Sequence, residues 1–335
     1  MIRALRYRLE YAFVLAGAWL VQSLSLESAQ AFARFLGRCA WGLGVARRTS
    51  LDNLVLAFNG EKTKPERRKI AKAAYEGFAQ TMIELARMPV TSPEEIESYF
   101  EFENLELLHT LQQAGKGAIC LSAHYGNWEW MGAALIKKGF PMTFMIGTQS
   151  NPHVDRLFNE YRGKVGIKFV RIRHIKEVVK GLRNGEFMAL LGDQDGDKWG
   201  TFVDFFGRHA STHTIGDILA RKTGAPTFFG VSQRLGPRKH FVSIVPMAEA
   251  PAGLSEIQAS AFRLQEYNNH LEAAIRRDPG QWLWMHRRWQ SQPFHRLSGA
   301  ERVMAEKGGA LFDPKRQAWV SVANGEVLDF STWKS

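Results

Sequence analysis

The sequence predicts an α/β fold in which a mostly parallel central sheet is flanked by helices and preceded by an N-terminal helical membrane-anchor region. Two observations lead to this prediction: short apolar runs alternate with helical stretches from about residue 101, and the chain begins with arginines followed by an apolar run. A strand–helix–strand rhythm favours parallel strands, because parallel neighbours need a long crossover connection. We expect an anchor and amphipathic helix over 1–48, a main domain over 49–297 with a helical lead-in to about 100, and a peripheral tail over 298–335.

The first 26 residues carry the pattern of a membrane anchor. Arg3, Arg6 and Arg8 precede a mostly apolar stretch of 16 residues, fewer than the roughly 20 that a helix perpendicular to the bilayer needs. Only imperfect small-x-small cleavage sites follow it, which favours an uncleaved anchor that spans the membrane or lies in its interface. The arginines then hold the first residues on the cytoplasmic side. A buried core helix is the alternative.

Two further helices are predicted before the sheet begins. Residues 27–48 place an apolar stripe on one face and arginines elsewhere. That pattern suits an anionic membrane surface, and equally suits packing against the main domain. The next helix lies between Pro65 and Pro89, which mark its start and its end. The first stripe consists of Phe32, Leu36, Cys39 and Leu43.

Six short apolar runs in the main domain predict strands. They are KGAICLSA, MTFMIG, IKFVRI, FMALLGD, APTFFGVSQRL and HFVSIVP. Helical stretches between and after them cover 127–138, 151–163, 175–184, 213–223 and 256–277. In parallel sheets functional groups gather at the carboxyl ends of strands, so the residues that follow these runs are the first candidates for a site.

Composition narrows the class of protein. The 335 residues are 45% apolar and 23% charged, which is ordinary for a globular protein. The net charge of +11 favours an anionic partner, either nucleic acid, acidic lipid headgroups or an acidic carrier protein, without choosing among them. The two cysteines, Cys39 and Cys120, have no metal-binding spacing and lie among apolar residues, which indicates small buried hydrophobes in a reducing compartment. We expect no metal and no cofactor.

The stretch HYGNWE follows the first predicted strand and carries the main candidate site. His124 and Glu129 are five residues apart, which on one ideal helix leaves their side chains about 140° apart. They can meet if His124 ends the strand, Gly126 forms a corner and Asn127 caps the next helix. Glu129 in the first turn then orients one imidazole nitrogen and leaves the other as a base. A structural histidine beside an unrelated acid is the alternative.

Other nucleophiles have little support in the sequence. No G-x-S-x-G motif occurs, which argues against a serine hydrolase. Cys120 is four residues before His124, but it lies in the middle of a predicted strand without an acidifying neighbour.

A second candidate is GDQDGDKWGTFVDFFG. Asp193, Asp195 and Asp197 resemble the start of a calcium loop, but Lys198 takes the place of its glycine and Asp204 that of its final glutamate. We therefore reject calcium. Asp193 follows an apolar strand, so we expect it in the cleft at the sheet edge, with a solvated turn as the alternative.

A third candidate is QWLWMHRRWQ, in which three tryptophans surround His286, Arg287 and Arg288. Aromatic rings beside cations suit a membrane interface or an anionic ligand. A buried core segment with a charged rim fits the same pattern.

Taken together, these segments resemble the lipid A biosynthesis acyltransferase family, the late or secondary acyltransferases with an H-x4-D/E motif. The matching segments are RRTSLDNLVLAFNG, HYGNWE, GDQDGDKWGTFVDFFG, GDILARKTGAP and QWLWMHRRW, in the order of the family. The resemblance covers about residues 1–295 and leaves the tail uncovered. It implies transfer of a fatty acyl chain from a thioester donor, usually acyl carrier protein, to a hydroxyl of a lipid A precursor.

The resemblance also implies roles for residues. His124 is the general base and Glu129 its partner, and the acceptor hydroxyl attacks the thioester directly without an acyl-enzyme. The oxyanion is stabilised by backbone N–H groups near Gly126 or by an arginine such as Arg162. Asn127 is included among the substrate-binding candidates.

Further substrate-binding candidates lie later in the chain. Three arginines are expected to bind a phosphate of the acceptor or the acidic carrier. They are Arg162, Arg171 and Arg173. Asp193 and Gln194 match the family's DQ segment and are expected to line or brace the cleft.

The partners are therefore acyl carrier protein or acyl-CoA, an anionic glycolipid and the membrane, with no nucleic acid. The expected location is the cytoplasmic face of the inner membrane. One alternative is an acyltransferase that uses acyl-CoA and acts on another glycolipid or a lysophospholipid. A non-catalytic basic protein that binds membranes or nucleic acid is another, supported only by the net charge.

Overall fold

The computed structural model describes residues 2–293, 310–313, 318–321 and 326–327. The strands are β1 (Phe100–Phe102), β2 (Ala118–Ser122), β3 (Met142–Ile146), β4 (Lys168–Arg171), β5 (Phe187–Leu191), β6 (Thr201–Phe205), β7 (Arg208–Thr212), β8 (Thr227–Gly236), β9 (Lys239–Pro246), β10 (Ala310–Asp313) and β11 (Ala318–Ser321). The helices are α1 (Ile2–Ser23), α2 (Leu26–Gly42), α3 (Arg47–Ala57), α4 (Lys64–Arg87), α5 (Pro93–Ser98), α6 (Leu105–Gln113), α7 (Trp128–Lys137), α8 (Pro152–Lys164), α9 (Ile175–Arg183), α10 (Ile215–Thr223) and α11 (Glu256–Arg277).

A seven-stranded sheet of order β1-β9-β8-β2-β5-β3-β4 forms the centre of the protein. Its neighbouring strands are parallel except for the hairpin of β8 and β9. The predicted α/β class with a mostly parallel sheet is therefore confirmed. The six predicted strands and the five predicted helices of the main domain are all present, with ends shifted by a few residues.

Helices cover both faces of the sheet, which explains why its central strands are apolar throughout. On β2, Ile119 and Leu121 contact one core, which includes residues of α9, α10 and α11. Ala118 and Cys120 contact the other, which includes residues of α5, α6 and α7. Successive side chains of a strand point to opposite faces, so a strand buried on both sides cannot alternate between apolar and polar residues.

Helices α1 and α2 both pack against α4. The buried guanidinium of Arg87 at the end of α4 donates to the backbone carbonyl of Leu24 at 2.7 Å and to that of Val21. These contacts satisfy carbonyls that the end of α1 leaves free. The predicted helix over 27–48 is wrong at its end, because the chain turns with positive φ at Gly44 and Ala46 and a new helix starts at Arg47.

The N-terminal helix exposes an apolar surface. Within the described part of the chain, no helix combines the length and the apolarity needed to cross a bilayer. The exposed large apolar side chains of α1 are Leu5, Leu9, Phe13, Leu15, Trp19 and Leu20. The buried face of α1 includes Ala18 and Val21, which contact a small core with α2 and α4.

The β6–β7 hairpin was not predicted. The segment GTFVDFFG forms β6 and the turn of the β6–β7 hairpin, which pairs Val203 with Ala210 and packs on α11 through β6. Asn268 of α11 donates to the carbonyl of Asp204 at 2.9 Å. The hairpin is buried rather than a solvated turn, because Phe202 and Phe205 face the core.

The tail remains a prediction for most of its length. Strands β10 and β11 form an antiparallel pair within it, with Leu311 opposite Val320. The rest of the proposed appendage over 298–335 lies outside the described residues, apart from 326–327.

Candidate active site

His124 and Asp193 meet at the carboxyl edge of the central sheet. Strands β2 and β5 are parallel neighbours, with Ser122 opposite Leu191. Each of the two polar residues lies two positions beyond its strand, so the register itself brings them together. The imidazole Nδ1 of His124 lies 2.8 Å from Oδ1 of Asp193.

Asp193 is held as a buried carboxylate. Its Oδ2 accepts hydrogen bonds from the backbone N–H of His124 at 2.9 Å and from Nε1 of Trp282 at 2.8 Å. Burial alone would raise the pKa of this carboxyl, but the charge of His124 and these hydrogen bonds hold the pKa below its usual value. The ionised carboxylate accepts a hydrogen bond from Nδ1–H and so fixes the tautomer of His124.

Glu129 does not take the role that the sequence assigned to it. Its two carboxylate oxygens accept from Nε and Nη2 of Arg162 at 2.9 and 2.6 Å. The carboxylate that contacts His124 comes instead from the neighbouring strand, as Asp193. The prediction that Glu129 orients His124 is corrected on this point, because helix α7 directs Glu129 towards α8 rather than back to the imidazole.

The predicted corner between β2 and α7 is confirmed. Gly126 adopts a positive φ of 59°, and a Cβ there would lie 1.6 Å from the carbonyl oxygen of Ser232. Asn127 caps α7 through Oδ1, which accepts from the backbone N–H of Trp130 at 2.9 Å. The corner therefore needs glycine for both its conformation and its space.

Helix α4 supports this corner through Glu84, which is fully buried. Its carboxylate accepts from Asn127 at 2.6 Å, from Gln30 at 2.6 Å and from Arg234 at 2.6 and 2.5 Å. Thr81, one turn earlier, donates to the carbonyl of Gly126 at 2.9 Å. Helix α4 is thus bonded directly to the residues that follow His124, and α2 and β8 are joined to them through Glu84.

The sequence missed three of these contacts. Trp282 lies in the predicted aromatic segment, but nothing local indicates that its indole reaches Asp193. Glu84 lies between the apolar residues Ile83 and Leu85 in the helix predicted from Pro65 to Pro89, which is a weak local signal that its carboxylate is buried. Arg234 sits near the end of a predicted strand, where its pairing with Glu84 has no local sequence signal.

The arginines predicted to bind phosphate occupy different environments. Arg162 is bound to Glu129, and Arg171 forms an ion pair with Asp155. Burial alone would lower the pKa of Arg162, but its bond to Glu129 raises it. Arg173 is exposed. The structure therefore places Arg162 near α7 and leaves Arg173 as the accessible cation of the set.

The DQD and WMHRR segments lie against each other. The backbone N–H of Asp195 donates to Nε2 of His286 at 2.8 Å, and the Ser291 hydroxyl donates to the Asp195 carboxylate at 2.7 Å. Arg288 is buried and donates to Thr212 at 2.8 Å, and burial lowers its pKa to about 10. Gln194 is half-buried beside these groups. These segments brace the loop that carries Asp193.

This arrangement is suited to proton transfer. With Nδ1 committed to Asp193, Nε2 of His124 carries the lone pair, and it has no hydrogen-bond partner among the described residues. The His124 side chain is 19% exposed to solvent. The ring also contacts Trp128 edge to face, with centroids 5.0 Å apart. Fold and site define an α/β protein with a histidine–aspartate pair at the carboxyl edge of its sheet.

The chain belongs to the bacterial lipid A biosynthesis acyltransferase family, whose model matches residues 1–291. It is therefore an O-acyltransferase of that family. The family resemblance of the sequence motifs is confirmed.

Three named relatives share 25–30% of the aligned residues with this chain. Lipid A biosynthesis acyltransferase 2 of Shigella flexneri is 26% identical over 245 residues, which cover 72% of this chain and 76% of the relative. The lipid A biosynthesis lauroyltransferase of Escherichia coli K12 is 25% identical, over 82% of this chain and 89% of the relative. The myristoyltransferase of the same organism is 30% identical over 53% of this chain and 55% of the relative.

Proposed function

We propose that this protein transfers a fatty acyl chain from a thioester of acyl carrier protein to a hydroxyl of a lipid A precursor, with His124 as general base and Asp193 as its orienting carboxylate. The observation that carries the proposal is the 2.8 Å contact between Nδ1 of His124 and Asp193 in a chain of this family. It leaves the second imidazole nitrogen as a base beside a solvent-accessible edge of the sheet.

The reaction needs one proton relay and no acyl-enzyme. Nε2 of His124 takes the proton of the acceptor hydroxyl as its oxygen attacks the thioester carbonyl carbon. The tetrahedral intermediate then breaks its C–S bond, and the leaving thiolate takes the proton from the imidazolium. Asp193 stabilises the imidazolium during the interval, because its buried carboxylate contacts Nδ1.

Glu129 acts in this scheme through Arg162. A guanidinium has five N–H donors, of which Arg162 uses Nε and one on Nη2 for Glu129 and one on Nη1 for Asn159. Two N–H donors remain. We assign them to the oxyanion of the tetrahedral intermediate or to a phosphate of the acceptor, with Glu129 holding the guanidinium in place.

The other predicted substrate-binding residues receive different proposed roles. Arg173 is the accessible cation for an anionic group of the acceptor. Arg171 is committed to Asp155 and positions α8 rather than substrate. Asn127 and Gln194 brace the corner and the DQD loop.

We also assign the exposed apolar face of α1 to the membrane interface. Leu5, Leu9 and Phe13 are spaced four residues apart and are 60%, 63% and 82% exposed. An apolar stripe flanked by arginines binds an anionic lipid surface with its axis in the plane of the interface. This placement favours the cytoplasmic face of the inner membrane, where a membrane-bound acceptor meets a soluble donor.

The test of the proposed function is acyl transfer in vitro. A radiolabelled acyl thioester of acyl carrier protein is mixed with a lipid A precursor, and labelled lipid is separated and counted. We expect His124→Ala to lower the turnover rate by about 10²- to 10⁴-fold, the range of general-base catalysis. His174→Ala, at an exposed histidine, is the matched control and should retain the rate. Equal rates in both variants would rule out His124 as the base.

A further inference from the structure

Helix α4 begins with a group of cations that have no partner in the described part of the chain. Lys64, Arg68, Lys69 and Lys72 are exposed, and none of them forms an ion pair with another described residue. We call these four side chains the α4 cation cluster. Arg162, Arg171 and Arg234, by contrast, are each bound to a carboxylate, so the cluster is a separate feature of the surface.

The cluster opposes the stability of the helix that carries it. Cations in the first turns lie against the positive end of the helix dipole. Lys64, Arg68 and Lys72 are also spaced four residues apart, where like charges repel. The nearby Glu66 is engaged in the capping box with Thr63. The positive charge at this end of α4 is therefore not explained by local helix stability, which points to a binding role.

The cluster lines an open groove on the surface of α4. The groove has a volume of about 710 Å³ and also includes Pro65, Ala73 and Glu76. Ala73 and Glu76 line a second groove of about 250 Å³, which reaches Gly126. Glu76 is paired with Arg38 at 2.9 Å, so its charge is already neutralised. The two grooves together connect the cluster to the corner that follows His124.

Aromatic contacts extend this connection to the imidazole. Phe78 of α4 stacks on Trp128 with ring centroids 6.3 Å apart, and Trp128 contacts His124. Arg68 and Gly77 are nine residues apart, which is about 14 Å along the helix axis. A partner bound at the cluster would therefore sit outside the site and reach it only with a long flexible arm.

We propose that the α4 cation cluster is the docking surface for an acidic carrier protein that delivers the acyl thioester along this groove. The inference rests on the proposed function, since it names where the donor of that reaction binds. Charge complementarity supports it, because four unpaired cations attract an acidic surface and steer its approach. Large apolar side chains are not exposed over 64–76, whereas α1 exposes six. A helix that inserts in a lipid interface needs such side chains, so the cluster suits a protein partner better than a membrane.

The experiment compares two donors that differ only in the carrier. One is the acyl thioester of acyl carrier protein, and the other is the same acyl group on pantetheine, which has no acidic surface. We expect Arg68→Glu, Lys69→Glu and Lys72→Glu together to raise KM for the carrier donor about 10-fold or more, because the new acids repel its surface. KM for acyl-pantetheine should stay within about twofold, since charge at the cluster does not affect an uncharged donor.

The chain offers a control of equal charge. Lys116, Lys180 and Arg183 are exposed and lie towards the opposite edge of the sheet, before β2 and before β5. Their triple replacement by Glu should leave KM for both donors unchanged. The milder triple replacement of Arg68, Lys69 and Lys72 by Ala should show the same donor-specific rise, and it guards against unfolding caused by the acidic side chains.

The outcomes separate the docking surface from the proposed function. Unchanged KM for the carrier donor in both cluster variants overturns the docking proposal and leaves the function standing. Equal losses with both donors, together with weaker binding to vesicles containing anionic phospholipid, would assign the cluster to lipid headgroups and overturn it as well. If the unmodified protein transfers acyl groups from neither donor, the proposed function fails first.

Discussion

His240 is a fully buried histidine whose two ring nitrogens have no hydrogen-bond partner among the described residues. Its ring stacks on Phe100 with centroids 4.6 Å apart. Burial lowers its pKa from 6.5 to about 2, and the nearby charge of Arg234 contributes in the same direction. The native protein therefore holds this ring neutral over a pH range in which the unfolded chain protonates it.

This difference predicts an acid-sensitive free energy of unfolding. Between pH 6.5 and pH 2 the unfolded state binds one more proton at His240 than the native state does. The contribution of the neutral ring to the free energy of unfolding is therefore complete above pH 6.5 and decreases as the pH falls through this range. His240→Phe removes that proton and keeps an aromatic ring. We expect wild type to lose about 1 kcal/mol per pH unit more than the variant from pH 6 to pH 4, measured by urea unfolding. Parallel curves would contradict a neutral buried imidazole.

At the scale of single residues, the sequence predicted the position of His124 at the end of a strand but not the carboxylate that contacts it. His124 was found because it follows an apolar strand in a motif with Gly126 and Asn127, which act locally. Asp193 was expected in the cleft, yet its contact with His124 depends on β5 lying beside β2. Strand order is a long-range property, and no local pattern of residues specifies it. Glu129 was chosen instead because it was close in sequence.

At the scale of elements, the apolar periods predicted the main helices and six of the seven strands of the central sheet, because burial dictates both. The three-residue strand β1 was missed. The break after α2 was missed, since its turn depends on Ala46 at positive φ, a conformation that its residue type does not suggest. The β6–β7 hairpin was missed for a different reason. Its aspartates and glycines are typical of loops, and only tertiary packing on α11 makes it a buried element.

Helix α4 is predicted to hold the active-site corner through Glu84. Replacement of Glu84 by Gln leaves Arg234, whose side chain is 11% exposed, without its charged partner. Removal of one partner of a buried ion pair typically costs about 3–5 kcal/mol. We expect a comparable loss in the free energy of unfolding and a lower turnover rate, because Asn127 loses an acceptor. Both are measured on purified protein, by denaturant unfolding and acyl transfer.

The control for this prediction removes both charges. The double variant Glu84→Gln and Arg234→Gln should recover part of the lost stability, because no unpaired charge remains buried. If the single variant is as stable as wild type, the ion pair does not fix α4 to the sheet.

At the scale of the whole molecule, an apolar surface and a charged surface are each proposed to bind a different partner. The apolar face of α1 is assigned to the lipid interface, and the α4 cation cluster to the donor carrier. The candidate active site lies at the carboxyl edge of the sheet, and the grooves along α4 reach Gly126, two residues beyond His124. A membrane-bound acceptor and a soluble donor can then approach one imidazole from separate surfaces.

The α1 assignment predicts a loss of membrane binding. Phe13 and Trp19 are 82% and 72% exposed, so replacing both by Glu should leave the fold intact. We expect binding to anionic phospholipid vesicles to weaken by about 10-fold or more, because each buried aromatic ring contributes about 1.5–3 kcal/mol. Co-sedimentation with vesicles measures the change. Ile257→Glu, at a position on α11 that is 57% exposed, is the control and should bind as wild type.

The most direct test of the central claim is a double-mutant cycle on turnover with His124→Ala, Asp193→Asn and the double variant. If Asp193 acts through His124, each single variant loses about 10²- to 10⁴-fold, and the double variant loses no more than His124→Ala alone. Additive losses, or an Asp193→Asn variant with the wild-type rate, would contradict the account.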